Sequence, residues 1–196
     1  MKVMEHFLTI THHRKIVRQY CFRVGLFRQG ILHDLTKYSP TEFLVGVKYF
    51  QGDRSPNNAE KEDKGYSSSW LHHKGRNKHH SEYWIDYSGR KDTILSGMKM
   101  PVRFVVEMFF DRIAACRTYQ KDAYRQESAW EYHKRSRPFL IMYPESQALL
   151  EQLIETLATD GEEVALAIAR EALRADKEAR RRPVEKVGEN ICRKEK

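Results

Sequence analysis

The stretch PVRFVVEMFFDRIAACRTYQ, residues 101–120, decides the fold class of this chain. Its apolar side chains recur at three- and four-residue steps, which is the spacing of one face of an α-helix. Pro101 suits the first helical position, where a backbone N–H has no partner in any case. Asp111 lies beside the apolar stripe and Glu107 lies one turn earlier on the same side, so two carboxylates are predicted next to the core. The expected stripe consists of Val102, Val105, Val106, Phe109 and Ile113.

The segments before this helix follow the same helical pattern. Residues 10–24 carry apolar side chains on one face, and Gly25 is a typical helix end. A second, short helix is predicted around residues 31–35. The motif SPTE at 39–42 has the N-cap serine, first-position proline and third-position glutamate of a capping box, which predicts a helix through Phe50.

The middle of the chain is predicted to be less regular. Residues 51–65 (QGDRSPNNAEKEDKG) are polar and contain Gly, Pro and Asn, so a loop of a length often associated with function is expected. Short helices are predicted over 70–74 and 77–87, on either side of Gly75, and a loop over 88–100.

Capping signals at SAWE (128–131), Pro144 and DGEE (160–163) begin three further helices, of which the last two form a pair. The whole chain is therefore predicted to be all-α. The expected organisation is a helical domain over residues 1–143, a C-terminal helical pair packed on it over 144–182, and a charged, disordered tail over 183–196.

The composition favours an anionic partner. Among 196 residues there are 35 Lys and Arg against 27 Asp and Glu, for a net charge of +8, which suits phosphorylated small molecules and, less strongly, nucleic acid. No apolar run approaches the roughly 18 residues of a membrane span. The N-terminus has no secretion signal, so a cytoplasmic protein without a membrane partner is expected. The oligomeric state is left open.

Histidines and carboxylates are the only metal ligands that the sequence favours. The three cysteines are scattered and form no CxxC pair, and Cys21 and Cys116 are expected in the core. His13 lies on the apolar face of the first helix, and an aspartate such as Asp111 beside a core stripe is costly unless it is paired or bound to metal. With His33-Asp34, these residues make a two-histidine, two-aspartate set from three helices, which suits Zn, Fe or Mn.

The segment WLHHKGRNKHHSEYW, residues 70–84, contains four of the nine histidines. His73 and His80 are seven residues apart and share a helix face if the helix is continuous, as do His72 and His79. The alternative is an exposed basic loop that binds phosphate or RNA, with Trp70, Tyr83 and Trp84 stacking on bases. We favour core positions for the two tryptophans. His6 and His133 have no such context and are expected at the surface.

Three sequence blocks carry a family resemblance: HDLTKYSPTEF at 33–43, WLHHKGRNKHHSEYW at 70–84 and EMFFD at 107–111. Together they resemble an uncharacterised bacterial family. The order His…His-Asp…Asp on successive helices also resembles the HD-domain superfamily of metal-dependent phosphohydrolases. The resemblance spans about residues 5–145 and implies an HD-domain-like helical bundle.

The HD resemblance implies two divalent metal ions, with Asp34 bridging them. The candidate metals are Mn, Zn, Ni and Fe. His13, His33 and Asp111 would complete the first ligand set. The second set would come from the histidine block, where we favour His73 and His80.

The remaining candidates would orient ligands or contact substrate. These are His72, His79, Arg76, Asn77, Glu107 and Lys37. Lys37 follows Asp34 by three residues and is expected to hold a substrate phosphate; its alternatives are a solvated lysine and a partner for Glu42. Glu107 is expected to orient a ligand or to bind metal directly, and otherwise to form a surface ion pair.

Two divalent ions suit hydrolysis of a phosphate ester, because they activate water and stabilise charge on the phosphate oxygens. The leading prediction is therefore a phosphohydrolase for a nucleotide or another small phosphate. Two alternatives stay open: a di-iron oxygenase with the same ligands, and a non-catalytic helical module that binds RNA or a protein.

Overall fold

The computed structural model describes residues 2–181 and is built almost entirely from helices, which confirms the all-α prediction. Short 3-10 helices cover Leu35–Tyr38, Ser81–Trp84, Lys121–Ala123 and Arg137–Phe139. Strands β1 (Ile85–Tyr87) and β2 (Leu95–Gly97) form one antiparallel pair. In chain order the α-helices are α1 (Lys2–Arg23), α2 (Phe27–Leu32), α3 (Pro40–Tyr49), α4 (Pro56–Lys64), α5 (Ser68–Lys74), α6 (Val102–Gln120), α7 (Ser128–Ser136), α8 (Pro144–Thr159) and α9 (Glu162–Arg181).

Helix α6 is the centre of the molecule. It packs along α1 on one side and against α7, α8 and α9 on others, and most of its side chains are buried. Phe110 is fully buried and stacks on Tyr20 of α1, with ring centroids 5.4 Å apart. Truncating a buried phenylalanine to alanine typically costs about 3–5 kcal/mol, so this contact is a main support of the fold. Cys21 and Cys116 are buried, as predicted.

Helices α8 and α9 pack against α6 and contribute to the same core. Leu150, Leu153 and Leu166 are at most 1% exposed. No helix within residues 2–181, including this pair, is long and apolar enough to cross a membrane. The tail predicted for 183–196 lies outside the described residues.

The prediction of a loop over residues 51–65 is wrong, because α4 occupies most of this segment. Pro56 takes the first helical position and Ala59 and Glu60 face inward. Glu60 is fully buried and accepts hydrogen bonds from the hydroxyls of Ser67 and Ser68, 2.7 Å each. These bonds tie α4 to the start of α5, and the polar composition of the segment gives no sign of them.

The helix predicted over 77–87 is also wrong. After α5 the chain turns, forms a 3-10 helix and enters β1, and β2 lies in the predicted 88–100 loop. Trp84 fixes this turn by donating from Nε1 to the carbonyl of Lys78, at 2.8 Å, while its ring packs against Phe104. A continuous helix after Gly75 would have carried Trp84 away from that contact.

Candidate metal centre

His33 and Asp34 lie in a turn between α2 and the following 3-10 helix, not on the short helix that the sequence predicts. Asp34 has a φ of 53°, a left-handed conformation that aspartate tolerates better than most residues. Arg14 holds the turn by donating to the carbonyls of His33 and Ile31, at 2.7 and 3.0 Å. The turn leaves the Asp34 side chain fully buried at the middle of the molecule.

One group of possible metal ligands surrounds the Oδ2 atom of Asp34. His13 Nε2 lies 3.6 Å and His33 Nε2 lies 3.4 Å from that oxygen. His13 Nε2 is also 3.0 Å from Asp111 Oδ1. One ligand atom from each of these four residues falls within 4.8 Å of the other three. The structure thus brings together the four residues that the sequence grouped.

A second group surrounds Oδ1, the other oxygen of Asp34. His73 Nε2 lies 3.2 Å and His79 Nε2 lies 3.4 Å from it, and His80 completes a set within 4.8 Å. His79 therefore lies among the possible ligands, although the sequence reading assigned it an orienting role. The turn after Gly75 brings three imidazoles together that no single helix face can align.

These donors fit divalent ions. With metal–ligand bonds of about 2.0–2.2 Å, tetrahedral donors lie about 3.3–3.6 Å apart, which matches the spacing around Asp34. Buried Nε2 atoms of His73, His79 and His80, and Oδ1 of Asp34, make no hydrogen bond to the described residues. Unpaired polar atoms are costly in a protein interior. Their convergence forms two groups that could each hold a cation and that share Asp34.

Glu107 fixes the orientation of two of the imidazoles. Its Oε1 atom lies 2.9 Å from His33 Nδ1 and 3.2 Å from His79 Nδ1. Glu107 accepts a hydrogen bond from each Nδ1–H, which leaves each Nε2 to face Asp34. Glu107 is 5% exposed, so the surface ion pair considered from the sequence is wrong.

Glu42 orients a second pair of imidazoles, those of His72 and His73, and the sequence analysis did not identify this role. Its two oxygens lie 2.7 Å from His72 Nδ1 and 2.8 Å from His73 Nδ1. The predicted capping role is wrong, because Ser39 makes no side-chain cap bond and Glu42 points into the protein. No sequence signal identified this role, because a local capping motif already accounts for a glutamate at this position.

Burial and neighbouring charges shift the pKa values of several groups in the centre. Burial opposes ionisation of Asp34, but His33 and Lys37 outweigh it and hold the carboxyl pKa well below its usual value. Burial likewise opposes the charged form of His33, but Asp34, Asp111 and Glu107 raise its pKa to about 10. Burial and the neighbouring His79 and His73 lower the pKa of His80 well below its usual value. A metal ion must therefore displace a proton from His33.

The predicted substrate residues occupy different settings. Lys37 Nζ lies 2.6 Å from Asp34 Oδ2, at the centre itself. Arg76 is exposed and donates to the carbonyl of His72, at 3.3 Å, so it lies at the outer end of α5. Asn77 is buried and donates to Thr36 Oγ1 and to the His73 carbonyl, at 2.8 Å each, which ties the histidine block to the His33-Asp34 turn.

The remaining histidine predictions need correction. His6 and His133, expected at the surface, are buried at 6% and 0% exposure. His133 contacts Arg112 and Glu151 and belongs to neither group of possible ligands. His73, His79 and His80 are buried too, so the block is not an exposed basic loop. Trp70 is half-buried and its ring contacts those of His73 and His80.

A cavity of about 320 Å³ opens onto the centre. His13, His73, His80 and Asp111 line its inner end, together with Lys37. The first turn of α4 and the rings of Trp70, Tyr119 and Tyr132 form further walls. A small molecule can therefore reach the possible ligands.

Comparison with known proteins places the chain in a family without explaining its chemistry. Residues 2–156 match the family of unknown function DUF5662, and the chain belongs to that family. The matched region contains every residue of the candidate centre. Neither the curated proteins nor the solved structures include a match.

Proposed function

We propose that the chain is a metal-dependent phosphohydrolase that acts on a nucleotide or another small phosphate ester. The observation that supports this most strongly is the position of Asp34, whose two carboxylate oxygens face two separate groups of imidazoles. An arrangement of this kind suits two adjacent divalent ions. The order of His13, His33-Asp34 and Asp111 along the chain also supports a distant relationship to HD-domain phosphohydrolases.

In this proposal each residue has a defined task. His13, His33 and Asp111 would hold one ion, His73, His79 and His80 would hold the other, and Asp34 belongs to both ligand groups. Glu42 and Glu107 keep the imidazoles in the tautomer that presents Nε2. Two such ions, when bound, lower the pKa of water and stabilise charge on phosphate oxygens.

Lys37 provides the substrate contact closest to the reaction. Its ammonium lies against Asp34 and lines the cavity, and its pKa is raised because Asp34 and Asp111 outweigh the effect of burial. It therefore remains charged and can move from Asp34 to a phosphate oxygen when cations neutralise the carboxylate. The chain's net charge of +8 adds a general attraction for anions.

Phosphate release after metal exchange tests this function. The protein is stripped with EDTA, reloaded with Mn, Zn, Ni or Fe, and assayed with para-nitrophenyl phosphate, sugar phosphates and nucleoside monophosphates. We expect release that EDTA abolishes, that metal restores and that Asp34→Asn removes, whereas the exposed Asp122→Asn control keeps it. Hydrolysis that survives chelation contradicts the proposal.

The same histidine and carboxylate donors also suit iron, so oxygen uptake is measured in parallel. Uptake that requires Fe, without phosphate release under any metal, would identify an oxygenase instead.

A further inference from the structure

Helix α7 contributes to the cavity wall and is attached to the core through a buried histidine. Tyr132 of this helix lines the cavity and is 49% exposed. The next residue, His133, is fully buried, and its polar partners are Arg112 of α6 and Glu151 of α8. It is the only buried residue in the second half of α7. The position of this part of the wall therefore depends on the contacts of His133.

The contact between Arg112 and His133 requires an uncharged imidazole. Arg112 Nη1 lies 2.7 Å from His133 Nδ1, and a guanidinium can only donate, so Nδ1 must accept. The ring proton is then on Nε2, which donates to Glu151 Oε1 at 3.1 Å. A second proton on Nδ1 would place two positively charged donors against each other. The contact is therefore lost when His133 becomes protonated.

Arg112 depends on the same contact. It is 7% exposed, and its only hydrogen bond within residues 2–181 is the one to His133. The carbon of its guanidinium also lies 5.7 Å from the centre of the Tyr132 ring. One cation thus contacts two neighbouring residues of α7, one in the core and one at the cavity wall. Loss of the bond would leave a buried charged donor without its partner, which favours movement of the helix.

Charged groups from each element around His133 affect its protonation. Burial is the main cause that lowers the pKa of His133 from its ordinary value, and Arg112 and Arg137 act in the same direction. Glu151 opposes them, but its Oε1 atom also accepts from Arg137 and Gln147, at 2.7 and 2.9 Å. His133 is therefore neutral near pH 7 and gains a proton only below the ordinary pKa of 6.5.

We propose that α7 is an acid-sensitive wall of the cavity: protonation of His133 breaks its bond to Arg112 and releases Tyr132 from the cavity. At neutral pH the wall is complete, and in mild acid the second half of α7 separates from α6. A substrate then loses its contact with Tyr132 and binds less tightly. The opening of α7 follows from contacts within the chain, whereas its effect on a phosphate ester rests on the proposed function.

Hydrogen exchange tests the opening directly. The amides of residues 130–136 are followed at pH 7.5 and 5.5, in protein loaded with Zn and in EDTA-treated protein, with correction for the intrinsic exchange rate at each pH. The amides of α9, which contains none of these partners, report on opening of the whole protein. At pH 5.5, one unit below the ordinary pKa of imidazole, we expect the protection of α7 to fall by about fivefold to tenfold and that of α9 to stay constant.

Two substitutions separate His133 from the other histidines, which titrate in the same range. Arg112→Gln can bond to either state of His133, because an amide donates to a neutral Nδ1 and accepts from a protonated one. His133→Asn can present an amide oxygen to Arg112 and has no proton to gain. Each variant should lose the pH dependence of α7 exchange, and either one alone decides the question. His12→Asn is the matched control, because His12 is exposed on α1, and it should keep the pH dependence.

The inference is overturned if the protection of α7 is the same at both pH values, or if it falls equally in the wild type and in Arg112→Gln. The KM for para-nitrophenyl phosphate, measured at the same two pH values, connects the opening to the cavity. This KM should rise in acid by a larger factor in the wild type than in Arg112→Gln, and an equal rise overturns the effect on substrate.

The exchange measurement needs no hydrolysis, so it separates this inference from the hydrolase proposal. If α7 opens in acid but no ester is hydrolysed, the opening of α7 stands and the hydrolase proposal fails. If esters are hydrolysed and the exchange of α7 is independent of pH, the hydrolase proposal stands and the acid-sensitive wall is overturned.

Discussion

Replacing Glu42 by glutamine should weaken metal binding while leaving the fold intact. Glu42 is 6% exposed and accepts hydrogen bonds from His72 and His73, at 2.7 and 2.8 Å. A glutamine of the same shape has one carbonyl oxygen and one amide NH₂, so it can accept from only one of the two imidazoles. When His73 faces the NH₂, its proton moves to Nε2, the atom directed at Asp34, and blocks ligation.

The expected loss of metal affinity can be estimated from other metal sites in which a carboxylate orients a histidine ligand. Their loss typically lowers metal affinity by about 10-fold to 100-fold, or about 1.4–2.8 kcal/mol. Metal-free protein is titrated with Zn or Mn in competition with a chelator of known affinity. Glu60→Gln is the control, because Glu60 is an equally buried carboxylate that contacts serines and Lys64 instead of imidazoles. Unchanged affinity in Glu42→Gln, or an equal loss in Glu60→Gln, refutes the reasoning.

Three further outcomes are expected. The raised pKa of His33 keeps this residue protonated near neutral pH when no metal is bound. Metal binding should therefore release protons, and metal affinity should rise as the pH rises from 6 to 8. Calorimetry in buffers of different ionisation enthalpy measures both effects, and a metal affinity that is independent of pH contradicts this expectation. Lys37→Met should tighten metal binding by removing a cation 2.6 Å from Asp34, yet raise KM for phosphate esters; weaker metal binding would show that Lys37 only supports the fold. Gly46→Ala should lower the free energy of unfolding by about 1–3 kcal/mol in urea denaturation, since the added Cβ would lie 2.1 Å from His6 Nε2. An unchanged free energy of unfolding would show that His6 does not lie against Gly46.

The sequence predicted the parts of the centre that depend on helical periodicity. His13 and Asp111 lie on the inner sides of two long helices, α1 and α6, because an apolar stripe sets the orientation of every residue beside it. Their meeting required only that these two helices pack together, which their stripes demand. The all-α fold and the helical pair after Pro144 were predictable for the same reason.

The errors share a different cause, which is contact between separate elements of the structure. Glu42 satisfied a local capping motif, and only the packing of α3 against α5 shows that it binds two imidazoles instead. Residues 51–65 looked like a loop because the serines that satisfy Glu60 come later in the chain. His79 joined the centre through a turn after Gly75 that no helical period describes.

The histidines outside the centre show a related limit. His6 and His133 were predicted at the surface because each stands alone in its segment. Both are buried, His6 against two phenylalanines and His133 against an arginine and a glutamate that lie elsewhere in the sequence. A lone histidine carries no periodic signal, so its burial depends on partners that a sequence pattern does not identify.

The metal content of purified, untagged protein tests the central claim most directly, with Asp34→Ala analysed beside the wild type by elemental analysis. Asp34 is the residue that both ligand groups share. The account predicts about two equivalents of a divalent metal per chain in the wild type and their loss in Asp34→Ala. Absence of metal after reconstitution, or a bound equivalent that survives Asp34→Ala, would contradict it.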